Sequence, residues 1–440
     1  MKNYIATCVI AAASLASCTQ TEDFTSQYNE KAKTMKFDVA YVGKNTRAAT
    51  GNMTTDKLNS KKITIWGAAY PTSDVTNGGL WITEKEPLTL EKSSTSYWYA
   101  KVDDKDTEVK YPGSTYTTYF TAIAPADEFQ ATDGTGTQPK YSMAGQYTDG
   151  SSAPKSNTRR LTLSDIPVVQ EAPSTLENTD ATTGTDYLVA CATSTTEEVS
   201  LTFKHILSRL KFAVWTDEST ANGENPTTQI VLNKIVFYLP GTNAKATYIQ
   251  SDHNVVAGNW TWSGFTNTST APTESTLGDY QKAELITSGT KEVKYYSGPT
   301  IAHAASWDEV KLTDQDKTYF IAPNGSTSCK LYMDIEYTVK RKLTGGDWSS
   351  SSTKGDSGYS AGHKVVTRTG MVVPVGDDSY GHGKTDSDEA AERNEGLSHF
   401  HQGVNEILYI CLRADQKVAF STSFTVADWV EDPIDASKNQ

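Results

Sequence analysis

Between residues 35 and 41, apolar Met35, Phe37, Val39 and Tyr41 alternate with Lys36, Asp38 and Ala40. This is the period-2 pattern of a strand that turns one face to a core. A polar, flexible link follows over 43–51, and 61–70 (KKITIWGAAY) opens the next strand. Further strands are expected over 96–101, 115–124, 185–192 and 198–203. The stretch 203–215 (FKHILSRLKFAVW) fits two periods at once. Phe203, Ile206, Leu207 and Leu210 keep helical spacing, while Leu210, Phe212 and Val214 alternate with Lys211, Ala213 and Trp215. The reading adopted is a strand end, about one helical turn over 205–209, and another strand. Strands over 229–239 and 246–250 close a first large unit.

Farther on, 318–322 is apolar, Pro323-Asn324-Gly325-Ser326 follows, and Leu331, Met333, Ile335 and Tyr337 then alternate with Tyr332, Asp334 and Glu336. An Asn-Gly pair supplies the positive φ of a tight connection, so a hairpin is expected there. Residues 341–402 are rich in Gly, Ser and charge, and read as a long loop or insertion. Near the C-terminus Ile407, Leu408, Tyr409, Ile410, Cys411 and Leu412 form a continuous apolar run, as in a strand buried on both faces. Val418, Phe420, Phe424 and Val426 then alternate with Ala419, Ser421, Ser423 and Thr425. Spaced strands divided by polar turns point to an all-β fold of β-sandwiches.

Length and composition agree. The chain has 440 residues, room for two large all-β domains, and its 23 Tyr sit comfortably on pleated, half-buried surfaces. A net charge of −13 opposes nucleic-acid binding, because a polyanion meets repulsion rather than a basic track.

The first residues set the compartment. After Met1-Lys2-Asn3, an apolar run from Ile5 to Ala16 is too short to span a bilayer and reads as the core of a signal peptide. Leu15-Ala16-Ser17-Cys18 looks like a bacterial lipobox, in which Cys18 becomes the lipid-carrying first residue. The alternative is an ordinary secretory signal with an incidental cysteine. Of the other cysteines, Cys8 leaves with the signal, and Cys191, Cys329 and Cys411 remain. An odd number makes no complete disulfide framework, and their apolar settings suit small buried hydrophobes.

Catalytic and ligand motifs are weak. Gly358-Tyr359-Ser360-Ala361-Gly362 matches a hydrolase elbow literally, but the preceding SSSSTKGDS is no buried strand. Gly381-His382-Gly383-Lys384-Thr385 lacks the first glycine of a phosphate loop and is followed by acids. His399 and His401 have no firm third ligand, and His205 suits a packed histidine. Neither a metal nor a cofactor is expected, and the chain reads as no enzyme. Trp260, Trp262, Trp307 and Trp348 are looser candidates for stacking on sugar rings.

Four features together resemble the fimbrillin family, the type V pilus subunits of Bacteroidetes. They are the lipobox at Cys18, the Thr46-Arg47-Ala48 link, the segment 201–212 (LTFKHILSRLKF), and the closing pattern from Val418-Ala419-Phe420 to Val426-Ala427-Asp428-Trp429. The resemblance implies two transthyretin-like β-sandwich domains in tandem. Carried onto this chain, it gives a signal over 1–18, a tether and removable first strand over 19–47, and domains over 48–250 and 251–440. It implies a lipoprotein precursor at the outer membrane and cell surface, cut between Arg47 and Ala48 by an arginine-specific surface protease. Loss of Met35, Phe37, Val39 and Tyr41 then opens a groove for a strand from another fimbrillin subunit. The candidate donor residues are Ile407, Leu408, Tyr409, Ile410, Leu412, Val418, Phe420, Phe424 and Val426. Alternatives are a tip or accessory fimbrillin that keeps its C-terminal strands, or a surface glycan-binding lipoprotein.

Overall fold

The structure is a computed structural model. It describes residues 33–41, 58–73, 80–81, 87–92, 97–102, 105–144, 160–171, 184–240, 245–251, 260–264, 273, 280–286, 302–306, 318–323, 331–373 and 402–426. Among them regular structure is almost wholly β.

The chain opens with β1 (Lys36–Tyr41), β2 (Ile63–Pro71), β3 (Leu80–Trp81), β4 (Leu88–Lys92), β5 (Trp98–Val102), β6 (Lys105–Thr107) and β7 (Tyr116–Ala124). It continues through β8 (Gln130–Ala131), β9 (Lys140–Ala144), β10 (Arg160–Pro167), β11 (Val169–Glu171), β12 (Leu188–Ser194), β13 (Glu198–His205) and β14 (Ser208–Trp215). Then come β15 (Thr228–Pro240), β16 (Lys245–Ser251), β17 (Trp260–Ser263), β18 (Tyr280–Ile286) and β19 (Thr318–Ile321). The last four are β20 (Leu331–Arg341), β21 (Lys364–Val373), β22 (Val404–Leu412) and β23 (Val418–Val426).

Nine of these form the first sheet, in the order β1-β13-β12-β7-β2-β4-β5-β6 with β3 beside β2. A further pairing of β1 with β5 closes it into a barrel. The sandwich expectation is thus corrected in the first half of the chain: closure removes the free edges that an open sheet would leave unpaired. Three more sheets follow the orders β17-β16-β10-β9-β8, β11-β19-β14-β22-β23 and β18-β15-β20-β21.

The alternation seen in the sequence sorts side chains between two cores. Inward residues of the barrel, among them Phe37, Ile65, Phe120, Leu201 and Phe203, form one core. A second and larger one gathers Leu161, Phe212, Phe237, Ile335, Leu408 and Ile410 from the three other sheets. It reaches Trp66 and Ile123 on the barrel's outer face. Trp66 meets Tyr141 edge-on, ring centroids 5.2 Å apart.

Three expectations change. The helical turn over 205–209 is instead a crossover: β13 ends at His205, Ile206 and Leu207 are fully buried, and β14 starts at Ser208. Adjacent apolar residues imitate helical spacing because the chain passes from one sheet to another there. The hairpin around Asn324-Gly325 does not form, since β19 pairs with β11 and β14 while β20 pairs with β15 and β21. Those two strands belong to different sheets, and no local turn signal chooses a sheet. The loop expected over 341–402 contains β21 and an ordered connection over 342–363, tied by bonds such as Leu343 N–H to Asp347 O at 2.7 Å; residues 374–401 lie outside the described residues.

Candidate functional site: the seam of the first strand

β1 closes the barrel because both of its edges are used. On one side it runs parallel to β13, in register from Lys36 opposite Glu198 to Tyr41 opposite Phe203. On the other side Phe37 stands opposite Trp98 of β5. Just upstream, the Met35 N–H donates to Val109 O at 2.7 Å and the Tyr111 N–H donates to Lys33 O at 2.9 Å. The strand is therefore sewn fully to β13 and at a few points to 109–111 and β5.

Its alternation does what the sequence implied. Met35, Phe37 and Val39 are 4%, 2% and 6% exposed and sit among Leu90, Trp98, Phe120, Val199 and Leu201. Phe37 meets the edge of Phe120 at 5.3 Å. Burying such side chains contributes about 1.5–3 kcal/mol each. The side chain of Tyr41 lies outside the described residues.

Charged groups fasten the outer surface. Lys33 Nζ donates to Glu197 Oε1 at 2.6 Å. The hydrogen bond from Lys33 holds the Glu197 carboxyl below its usual range, and the same bond raises the Lys33 ammonium. Both groups face water, where such a pair contributes little to stability. Lys36 Nζ rests 5.5 Å from the centre of the Tyr97 ring.

The C-terminal candidates occupy a different sheet, within their own chain. β22 lies between β14, to which it is parallel, and β23, to which it is antiparallel. Leu408, Ile410 and Leu412 are fully buried in the larger core. Ile407, Tyr409 and Cys411 turn to the opposite face, against Ala213, Trp215 and Ala304. β23, with Val418, Phe420, Phe424 and Val426, is the edge strand beside β22.

Cys18, Arg47 and Ala48 lie outside the described residues, as do Trp307, Cys329, His399, His401 and 381–385. Cys191 and Cys411 are buried free thiols. Ser360 sits in a turn that leads into strand β21 rather than a helix, and nearby His363 bonds Ser349 at 3.0 Å. His205 is packed as expected, its Nδ1 lying 2.7 Å from Asp186 Oδ1. Among the described residues no group of three His, Cys, Asp or Glu could hold a metal ion. Of the tryptophans considered for sugar stacking, Trp262 is buried and Trp348 is half-buried, while the side chain of Trp260 lies outside the described residues.

Sequence reasoning missed Trp98, Val109, Tyr111 and Glu197 as partners of β1. Trp98 and Ala100 do alternate with Tyr97 and Tyr99, but nothing in one sequence pairs that strand with residue 37.

No family model matches the sequence, and no curated protein matches it. The chain is similar to the solved structure of a candidate cell adhesion protein from Bacteroides uniformis, with 12% identity, 90% of this chain and 99% of that chain covered, and a TM-score of 0.37. It is similar to a fimbrial assembly protein from Parabacteroides distasonis, with 10% identity, 90% and 99% covered, and a TM-score of 0.31. It is also similar to the tip fimbrial protein Mfa3 from Porphyromonas gingivalis with a C-terminal truncation, with 11% identity, 84% and 94% covered, and a TM-score of 0.31.

Proposed function

We propose that this chain is a structural subunit of a surface fimbria, made as a lipoprotein precursor acylated at Cys18 and matured by cleavage after Arg47. The observation that carries the reading is the place of β1: it is a core strand of a closed barrel, joined to the rest through the polar link that contains Arg47. One cut in that link frees the strand as a single piece. Its departure leaves the β13 edge unpaired and empties the sites of Met35, Phe37 and Val39. An unpaired edge above vacant apolar sites accepts a strand from another chain, with main-chain bonds giving affinity and alternate side chains fixing register. Repeated head-to-tail, such contacts build a filament. The partners are other fimbrillin subunits and an arginine-specific surface protease, and the protein's role is adhesion rather than catalysis.

A second reading, a tip or accessory subunit, is favoured by the C-terminal strands being seated in their own chain. Such a subunit accepts a strand and donates none.

The test is brief digestion of the precursor, lacking signal and lipid, with an arginine-specific protease, followed by addition of a labelled peptide of residues 33–41. The expected result is a new N-terminus at Ala48 and uptake of the peptide by the cut chain but not by the precursor. Resistance at Arg47, or a cut chain that takes up no peptide after its own strand has left, overturns the reading.

A further inference from the structure

The turn that joins β22 to β23 is held from two directions. Residues 413–417 close on themselves, the Arg413 N–H donating to Lys417 O and the Gln416 N–H to Arg413 O, each at 3.1 Å. Gln416 has φ of 73°, a left-handed conformation that a side chain other than glycine adopts at some cost. Within its own sheet, Arg413 grips Asp217, which follows the end of β14: Nε donates to Oδ1 at 3.0 Å and to Oδ2 at 2.8 Å, and Nη2 donates to Oδ2 at 2.5 Å. From the neighbouring sheet, the Tyr337 hydroxyl of β20 donates to Arg413 O at 2.8 Å. Arg368 Nη2 of β21 donates to Gln416 O at 2.8 Å. A two-pronged guanidinium–carboxylate contact is directional as well as strong, so it fixes where the turn sits. The adjoining strand β23 is the edge of the sheet, paired with β22, and Val418 at its start packs against the larger core.

We propose that the 413–417 turn is a latch: while Arg413 grips Asp217, the C-terminal hairpin stays in its own subunit, and a processed chain accepts a strand at the β1 seam without donating one. This rests on the reading of the seam given above. Opening the latch converts a terminal subunit into one that can extend a filament. The contacts support this order of events because the turn ties the shared end of both strands to Asp217, next to the end of β14. With the grip gone, the turn loses its two-pronged tie to the segment that follows β14, and with it the contact that fixes the far end of the hairpin against its own sheet.

The test uses the precursor lacking signal and lipid, in a Cys329→Ser background, cut after Arg47 and compared with Asp217→Asn, Arg413→Ala, and the charge swap Asp217→Arg with Arg413→Asp. Two readouts are taken: multimer formation by gel filtration, and the labelling rates of Cys411 and Cys191 by a thiol reagent. Cys411 lies on β22 beside Asp217, and burial pushes its thiol up to about 11, so it reacts slowly while the hairpin is seated; Arg413→Ala keeps the Asp217 carboxylate and separates opening from the direct effect of Asp217 on the thiol. Cys191 lies in the barrel and reports general unfolding. The expected result is a monomeric cut wild type, multimers from both single variants, Cys411 labelling raised about tenfold or more with Cys191 unchanged, and wild-type behaviour restored by the swap. A cut wild type that multimerises as readily as the variants overturns the latch. So does unchanged Cys411 labelling in the single variants, or exposed Cys411 in chains that stay monomeric yet take up the 33–41 peptide. Failure of every cut chain to take up that peptide counts against the seam itself, while the labelling rates still decide whether the grip holds the hairpin.

Discussion

Phe37 stands opposite Trp98, and that pair joins the first strand of the chain to the fifth, closing the sheet into a barrel. Both rings are buried at 2% exposure, so the closure is made of apolar contact as well as main-chain bonding. A strand held in this way belongs to the cooperative core of the chain, although the link that follows it is polar.

Phe37→Ala should therefore destabilise the full-length chain by about 3–5 kcal/mol, the usual cost of truncating a buried Phe. Lys36→Ala, one position along and facing outward, should change stability by no more than about 0.5 kcal/mol. Urea unfolding of both variants measures the contrast. Equal small losses would mean that β1 lies outside the cooperative unit, and the seam would lose its physical basis.

The spacing of β1 also constrains any replacement. Met35, Phe37, Val39 and Tyr41 are matched at the same intervals by Val418, Phe420, Thr422 and Phe424. An aromatic residue recurs four positions after the first in both, and Thr422 has the shape of Val39. In that register a peptide of residues 417–426 should bind the cut, β1-free chain, running parallel to β13. Replacing Phe420 in the peptide by Ala should weaken binding at least tenfold, because it leaves the Phe37 site beside Phe120 empty. Replacing Ser421 should change little. Equal effects of the two substitutions, read by fluorescence anisotropy, would exclude this register.

What the sequence disclosed and what it withheld divide along chain separation. The alternation of Met35, Phe37 and Val39 reads directly as a strand with one buried face, and so it is. The strand-like runs at 407–412 and 418–426 are likewise present as β22 and β23. The partners are another matter. Arg413 and Asp217 are 196 residues apart, and nothing local in either segment announces the other. The Asn324-Gly325 signal misled for the same reason: it describes a turn's backbone, while the sheets that receive β19 and β20 are chosen by long-range packing. At Ile206 and Leu207 the period was ambiguous because both residues are buried at a crossover, where neither a helix nor a strand face applies.

The Arg413–Asp217 contact should leave a pH signature. Burial raises the Asp217 carboxyl, and the hydrogen bonds and charge of Arg413 outweigh it, so the folded pKa lies below the ordinary carboxylate value. A depressed folded pKa contributes stability that is fully present above the unfolded pKa of roughly 4 and is lost as pH falls through the folded value. Because the two side chains remain 39% and 27% exposed, the contribution is about 1 kcal/mol. The stability gap between wild type and Asp217→Asn should thus be complete at pH 6 and close progressively below about pH 4. A gap that is flat down to pH 2, measured by thermal unfolding, would show that the ion pair does not stabilise the fold.

The buried pair of His205 and Asp186 makes the most exacting test of how the two cores are joined. Their side chains are 2% and 3% exposed, with His205 Nδ1 lying 2.7 Å from Asp186 Oδ1. They stand at the crossover where the chain leaves the barrel, and beside them the Ile206 N–H donates to Tyr187 O at 3.1 Å. Removing one partner takes a short bond from a polar group held in the interior, so His205→Ala or Asp186→Ala should each cost about 1–3 kcal/mol. The double variant should cost clearly less than the sum, since it leaves no half of the pair behind. Amide exchange at Ile206 should quicken in each single variant ahead of exchange in β2 and β7, because the crossover loosens before the barrel opens. Strict additivity, or uniform quickening throughout the barrel, would mean that the pair acts through overall stability and does not position the crossover.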